Sequence, residues 1–277
     1  MKQRIKIGLA AVVLSISLAG PAPAGQLEDG IAADESGDYA TALRLLRPLA
    51  DQGDATALDR IGMMYSGGRG VPKDQVEGLK WFRKAAELGN AHAMSAIGGS
   101  YEYGWGVPQQ DYAEAVKWYL KAVKFYRSAA EKGDADAQVG LGDMYFSGAI
   151  EDHAEAVKWY RKAAEQGDTA AQGFLGSMYY LGREVPTDYA EAAIWFRKVA
   201  EDGNAVAQNQ LGQIYEKGEG VPRDDATAYM WFSLAAAHGD NEARVALDRV
   251  ERKLTADQLA KAQRLAQEWK PVLREPP

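Results

Sequence analysis

The stretch GDATALDRIGMMYSGGRGVPKDQVEGLKWFRKAAELGN, residues Gly53 to Asn90, decides the architecture because it comes back. Its opening, Gly followed by Asp or Asn, recurs at Gly89, Gly133, Gly167 and Gly203, with Ala next at all of these but Gly167, where Thr169 stands, and Gly239-Asp240 begins an altered sixth copy. The spacings are 36, 44, 34, 36 and 36 residues, so a unit of 36 carries one insertion and one deletion. A fixed period of this length is the signature of a stacked array of small units.

Each unit reads as two helices. At one corner a glycine can take the left-handed conformation that ends a helix, and the next Asp or Asn can cap the following one. At the other corner, Gly68-Arg69-Gly70-Val71-Pro72-Lys73-Asp74 stops the first helix, forbids its continuation at Pro72 and offers Asp74 as the next cap. Gly182 to Asp188 and Gly218 to Asp224 repeat that joint. Between the corners Ala57, Ile61 and Tyr65, then Leu79, Phe82, Ala85 and Ala86, keep helical spacing. Neither helix can bury such a stripe alone, whereas stacked neighbours can. Gly62, Gly98, Gly142, Gly176 and Gly212 recur inside the first helix, where glycine costs about 0.5–1 kcal/mol relative to alanine. Recurrence at that cost predicts close helix packing.

These blocks, among them Leu211-Gly212, Tyr215, Gly220-Val221-Pro222-Arg223-Asp224 and Trp231-Phe232, resemble the Sel1-like repeat, a relative of the tetratricopeptide repeat. The resemblance runs from about Asp38 to Gly239. It implies an all-α fold, a right-handed superhelix of helix pairs, and a role as an adaptor for other proteins. The expected organisation is a signal peptide at 1–24, an N-terminal capping half-repeat at 25–53, five repeats at 54–239 and C-terminal capping helices at 240–277. In the half-repeat Ala42, Leu45, Leu46 and Leu49 face inward. Near the other end Thr255-Ala256-Asp257-Gln258 is a capping-box pattern opening a helix with Leu259, Ala262, Ala266 and Trp269 on one face, which is expected to close the core.

Lys2, Arg4 and Lys6 precede an apolar run from Ile7 to Leu18, and Ala22-Pro23-Ala24 offers a cleavage site, the pattern of a secretory signal. Export to the periplasm or exterior is therefore expected. Losing those three cations takes the net charge from −7 to −10, which argues against nucleic acid or anionic lipid as a general partner. Stable membrane insertion after cleavage is not expected. With no cysteine, the fold must hold without disulfides, and thiolate chemistry is excluded.

No catalytic or cofactor site is expected. Some bacterial proteins resembling this family are described as β-lactamase-like, but no Ser-x-x-Lys follows the signal and no Gly-x-Ser-x-Gly elbow occurs. His92, His153 and His238 form no His-x-x-x-His pair, so a metal site is not expected either. Asp134 in Asp134-Ala135-Asp136 reads as a helix cap rather than part of a calcium loop. Binding of cell-wall or extracellular glycan is the alternative to protein binding, suggested by the supply of aromatic residues. Against it, Trp81, Trp118, Trp159, Trp195 and Trp231 hold one fixed repeat position and read as core.

Two units depart from the pattern. Ala115-Val116-Lys117-Trp118-Tyr119-Leu120-Lys121 is followed by its near-copy, Ala122-Val123-Lys124-Phe125-Tyr126-Arg127-Ser128. Seven residues turn a helix through about 700°, roughly 20° short of two turns, and lengthen it by about 10 Å, so the apolar face is preserved. The longer helix is either a protruding contact surface or a duplication tolerated for its register. In the third unit Gly148-Ala149-Ile150-Glu151-Asp152 replaces the Gly-Val-Pro joint, a shortening expected to change the superhelix locally. His153, at the position of Tyr112 and Tyr189, reads as a surface or packing substitute rather than a pH switch.

The binding face follows from which first-helix positions vary. Those equivalent to Asp59, Arg60, Met63, Ser66 and Gly67 change between repeats, and 59, 63, 66 and 67 share one helical face. In the resembling family the first helices line the concave side. Here that places Tyr103, Phe146, Phe174 and Tyr180 on it, flanked by Glu102 and Asp143, as the candidate partner-binding residues. Phe146 and Tyr180 could instead fill gaps between repeats.

Overall fold

Six Gly-Asp or Gly-Asn corners fold alike. Gly53, Gly89, Gly133, Gly167, Gly203 and Gly239 all have positive φ. The next residue in each case (Asp54, Asn90, Asp134, Asp168, Asn204, Asp240) accepts the backbone N–H three residues on, at 2.7–3.0 Å. Asp38, Asp74, Asp111, Asp152, Asp188 and Asp224 cap the second helices in the same way, at 2.9–3.1 Å. Each such cap contributes about 0.5–2 kcal/mol and fixes where a helix begins.

A computed structural model describes residues 25–146, 152–182 and 185–271. The expected signal at 1–24 and the shortened joint at 147–151 lie outside them, as does part of the joint after Gly182. Among the described residues there are fourteen α-helices and no strand. The chain divides into two units, up to Leu88 and from Gly89 onward. The first holds α1 (Gln26–Glu35), α2 (Tyr39–Asp51), α3 (Ala55–Gly67) and α4 (Gln75–Glu87). The second holds α5 (Ala91–Tyr103), α6 (Tyr112–Ala130), α7 (Ala135–Phe146), α8 (His153–Glu165), α9 (Thr169–Leu181), α10 (Tyr189–Glu201), α11 (Ala205–Lys217), α12 (Asp225–Ala237), α13 (Asn241–Glu251) and α14 (Ala256–Glu268). Each odd-numbered helix up to α11 packs on the next to make a hairpin, and successive hairpins stack within each unit, giving an all-α helix-turn-helix repeat solenoid. Residues before Gly53 make a full hairpin, α1 with α2, with Ala42, Leu46 and Leu49 buried.

The recurring first-helix glycine has a single cause. A Cβ on Gly62, Gly98, Gly142, Gly176 or Gly212 would stand 2.7 Å from the ring of Phe82, Tyr119, Tyr160, Phe196 or Phe232 respectively, each on the paired second helix. The ring occupies the space a side chain would need, so the hairpin closes only where that side chain is missing.

Two side chains join one hairpin to the next. Arg127, Arg161 and Arg197 on second helices donate to the hydroxyls of Tyr145, Tyr179 and Tyr215 on the following first helices. Gln138, Gln172 and Gln208, all buried, donate to the carbonyls of Ala130, Ala164 and Ala200 near the end of the preceding helix, at 3.0–3.1 Å. The last apolar face is covered by α14, which packs on α12 with Ala262 buried and Trp269 edge-on to Trp231, after a capping box between Thr255 and Gln258.

Candidate functional site

The first helices of the second unit carry the predicted face. Tyr103 ends α5, Asp143 and Phe146 lie in α7, and Phe174 and Tyr180 lie in α9. Tyr103 and Phe174 are exposed, at 54% and 46%. Phe174 stacks on the buried Tyr160, ring centroids 5.2 Å apart. Tyr103 pairs with Trp105 in the joint after α5, ring centroids 4.8 Å apart, and Trp105 is itself 51% exposed. Trp105 was missed by the sequence reading, which compared positions within the helix; it occupies the joint between Gly104 and Gly106, where Arg69 and Glu219 stand in other repeats.

Phe146 and Tyr180 are half-buried. Tyr180 packs edge-on to Tyr189 and Phe196, donates to Gln213 Oε1 at 3.1 Å and lies beneath the Lys217 ammonium. Phe146 meets the His153 ring edge-on, and its carbonyl lies 3.0 Å from His153 Nε2. His153 therefore has a packing contact at this position. The variable face is also less open at its start than the spacing implied, since Asp59 is buried.

The two acids hold tyrosines rather than forming an open rim. Glu102 Oε2 accepts from the Tyr119 hydroxyl at 2.6 Å, and the same carboxylate raises the phenol of Tyr103 above its ordinary range by hydrogen bonding. Asp143 Oδ1 accepts from the Tyr160 hydroxyl at 2.6 Å. Burial lifts the Asp143 carboxyl above its usual range, against the lowering effect of the Tyr160 hydrogen bond. A surface built this way presents aromatic faces with its carboxylates already engaged. That suits apolar contact with a protein chain and supplies no acid-base pair for catalysis.

Among the described residues no group of His, Cys, Asp and Glu could hold a metal ion, and no helix is long and apolar enough to cross a membrane. Four repeat tryptophans, Trp81, Trp159, Trp195 and Trp231, are buried as expected, whereas Trp118 is half-buried. The lysine three residues after the tryptophan lies over its ring in four repeats: Lys84 on Trp81, Lys121 on Trp118, Lys162 on Trp159 and Lys198 on Trp195, at 3.9–4.5 Å. The glycan reading loses most of its aromatic supply to this packing.

The Sel1 repeat model matches residues 26–54, 55–90, 91–124, 120–134, 135–168, 169–204 and 205–240. A Sel1 repeat protein of Oxalobacter formigenes of known crystal structure is 32% identical, over 88% of this chain and 100% of that one, with a TM-score of 0.59. A protective antigen present in uropathogenic Escherichia coli strains, displaying an SLR fold, is 30% identical over 88% of this chain and 68% of its own, with a TM-score of 0.36. No curated protein matches the chain. With the repeat model matched across residues 26–240, which hold the glycine, cap and aromatic positions that build the hairpins, the chain belongs to the Sel1 repeat family.

Proposed function

We propose that this non-catalytic repeat scaffold works outside the cytoplasm, in the periplasm or beyond the cell, and captures a protein partner on the first-helix face of its second unit. The carrying observation is the Tyr103–Trp105 pair, two rings in contact with each other and each more than half exposed, at positions where neighbouring repeats place other residues. Large aromatic side chains kept in water cost solvation free energy and are the side chains that dominate binding when covered. Phe174 extends the face two hairpins further along. Export is supported by the charged, apolar and small-residue segments of residues 2–24.

The test is capture from an envelope extract by the purified protein, compared with a variant carrying Tyr103→Ser, Trp105→Ser and Phe174→Ser. All three residues are exposed, so the variant should melt within a few degrees of the parent and lose the proteins that the parent retains. Equal capture by both would refute this face. Recovery of the unprocessed chain beginning at Met1 in a membrane fraction, in place of a soluble chain beginning at Gly25, would refute release by cleavage.

A further inference from the structure

Among the described residues the longest helix carries a second surface, apart from the first-helix face. α6 has 19 residues where α4, α8, α10 and α12 have 13. Its two heptads share out work that one heptad does elsewhere. In α10 adjacent residues do both jobs: Phe196 lies on Gly176, and Arg197 reaches Tyr215. In α6 Tyr119 of the first copy lies on Gly98, while Arg127 of the second reaches Tyr145. Tyr126 of the second copy lies against Gly140. The two extra turns need not be core, and part of their apolar content is left in water. Val116 and Leu120 are 42% and 53% exposed, and they continue at i, i+4 and i+7 into Val123, which is itself buried.

Charge marks the same surface. From Ala115 to Ala130 the sequence holds Lys117, Lys121, Lys124 and Arg127 and no acid, in a chain of net charge −7. Lys117, Lys121 and Lys124 repeat the apolar spacing one residue on, so a cationic stripe runs beside the apolar one, with Lys117 paired to Glu114 at 2.9 Å at its start and Lys121 lying over the Trp118 ring. A groove at the lower end is lined by Leu120, Val123, Lys124, Arg127 and Tyr145, with Glu131 its acid. We propose that this groove and stripe dock an acidic amphipathic helix of a partner protein, its apolar face on the exposed Val116 and Leu120, above the buried Val123 that lines the groove, and its carboxylates on the lysine stripe. Helix-in-groove recognition uses this i, i+4, i+7 spacing of anchors. An anionic membrane surface is the less suitable occupant, because the rest of the chain is acidic.

The experiment measures binding of a fluorescent peptide of about 18 residues, made of Glu and Leu with Leu at amphipathic helical spacing, to the purified protein by anisotropy. Its partners are the Lys-for-Glu peptide and vesicles of phosphatidylglycerol. The Glu-Leu peptide should bind, and increasing salt should weaken it. Lys121→Glu with Lys124→Glu should weaken it by about tenfold or more, as should Leu120→Gln, each with an unchanged melt. The variant Tyr103→Ser, Trp105→Ser and Phe174→Ser should bind the peptide as the parent does, which separates this surface from the first-helix face. No binding of the Glu-Leu peptide, equal binding of the Lys-Leu peptide, binding indifferent to these substitutions, or binding to vesicles in its place would each overturn the proposal.

Discussion

Helices α6 and α10 hold the same place in their hairpins and differ by six residues in length. Both carry a lid on a glycine of the first helix and a cationic link to the next first helix, but α10 makes these from neighbours and α6 from residues eight apart, Tyr119 and Arg127. The difference shows what the fold demands. Angular register is required, because the ring must meet bare backbone and the arginine must meet its tyrosine. Length is not, since seven residues return the helix to within about 20° of where it began.

The sharpest way to break the shared requirement is to fill the glycine. Gly176→Val would drive a side chain into the Phe196 ring, which stands 2.7 Å from where a Cβ would sit, with no space to yield. Denaturant unfolding should show a loss of about 2–3 kcal/mol, in the range of core overpacking. Gly173→Ala, three residues earlier on the same helix with nothing within 4 Å of its Cβ, should cost nothing and is the control.

A smaller effect is expected from the buried glutamine link. Gln172 donates to the Ala164 carbonyl at 3.0 Å, whereas Met94 is the equivalent buried residue of α5. Gln172→Met keeps the volume and strips a buried carbonyl of its donor, so unfolding should register a loss of about 1 kcal/mol. No loss would mean that the link is replaceable by packing alone.

The C-terminal side offers a pH handle. Glu216 on α11 accepts two hydrogen bonds from Arg249 and one from Lys253 of α13 and its following turn, at 2.6–2.8 Å. The Arg249 hydrogen bonds, with that from Lys253, hold its carboxyl down at about 2, against 4.5 for an unconstrained glutamate. Its folded pKa is the lower one, so its contribution is complete above about pH 4.5 and disappears as pH falls towards 2. Glu216→Gln should leave less acid dependence of the melting temperature between those two values, with a small loss at neutral pH. An unaltered acid branch would show that this cluster does not govern it.

The fold was open to sequence reading because its determinants are local and repeated. A glycine that must turn, an aspartate that must cap and a glycine that must admit a ring leave the same letters every 36 residues. The site was legible only halfway. Variation between repeats singled out Tyr103 and Phe174, which are exposed, but it equally singled out Phe146 and Tyr180, which are half-buried against His153, Tyr189 and Phe196. A varying position reports freedom from the core pattern that every repeat shares, and the paired second helix can still claim the side chain, as α8 does with Phe146 and α10 with Tyr180. Trp105 escaped because its joint was read for its turn chemistry alone. The arginine-tyrosine link also escaped, although its signal was present: Arg127, Arg161 and Arg197 each stand 18 residues before a tyrosine.

By this comparison α6 is an ordinary second helix with two turns of surface added. Deleting Ala115 to Lys121 joins Glu114 to Ala122 and leaves DYAEAVKFYRSAAEKGD, close to the DHAEAVKWYRKAAEQGD of residues 152–168. Tyr126 then inherits the seat on Gly98, and Arg127 keeps its place before Tyr145. Thermal melting of this deletion by circular dichroism should be cooperative and within a few degrees of the parent, while binding of the acidic Glu-Leu peptide is lost. A deletion that fails to fold, or melts far below the parent, would contradict the claim by showing that the added turns belong to the core.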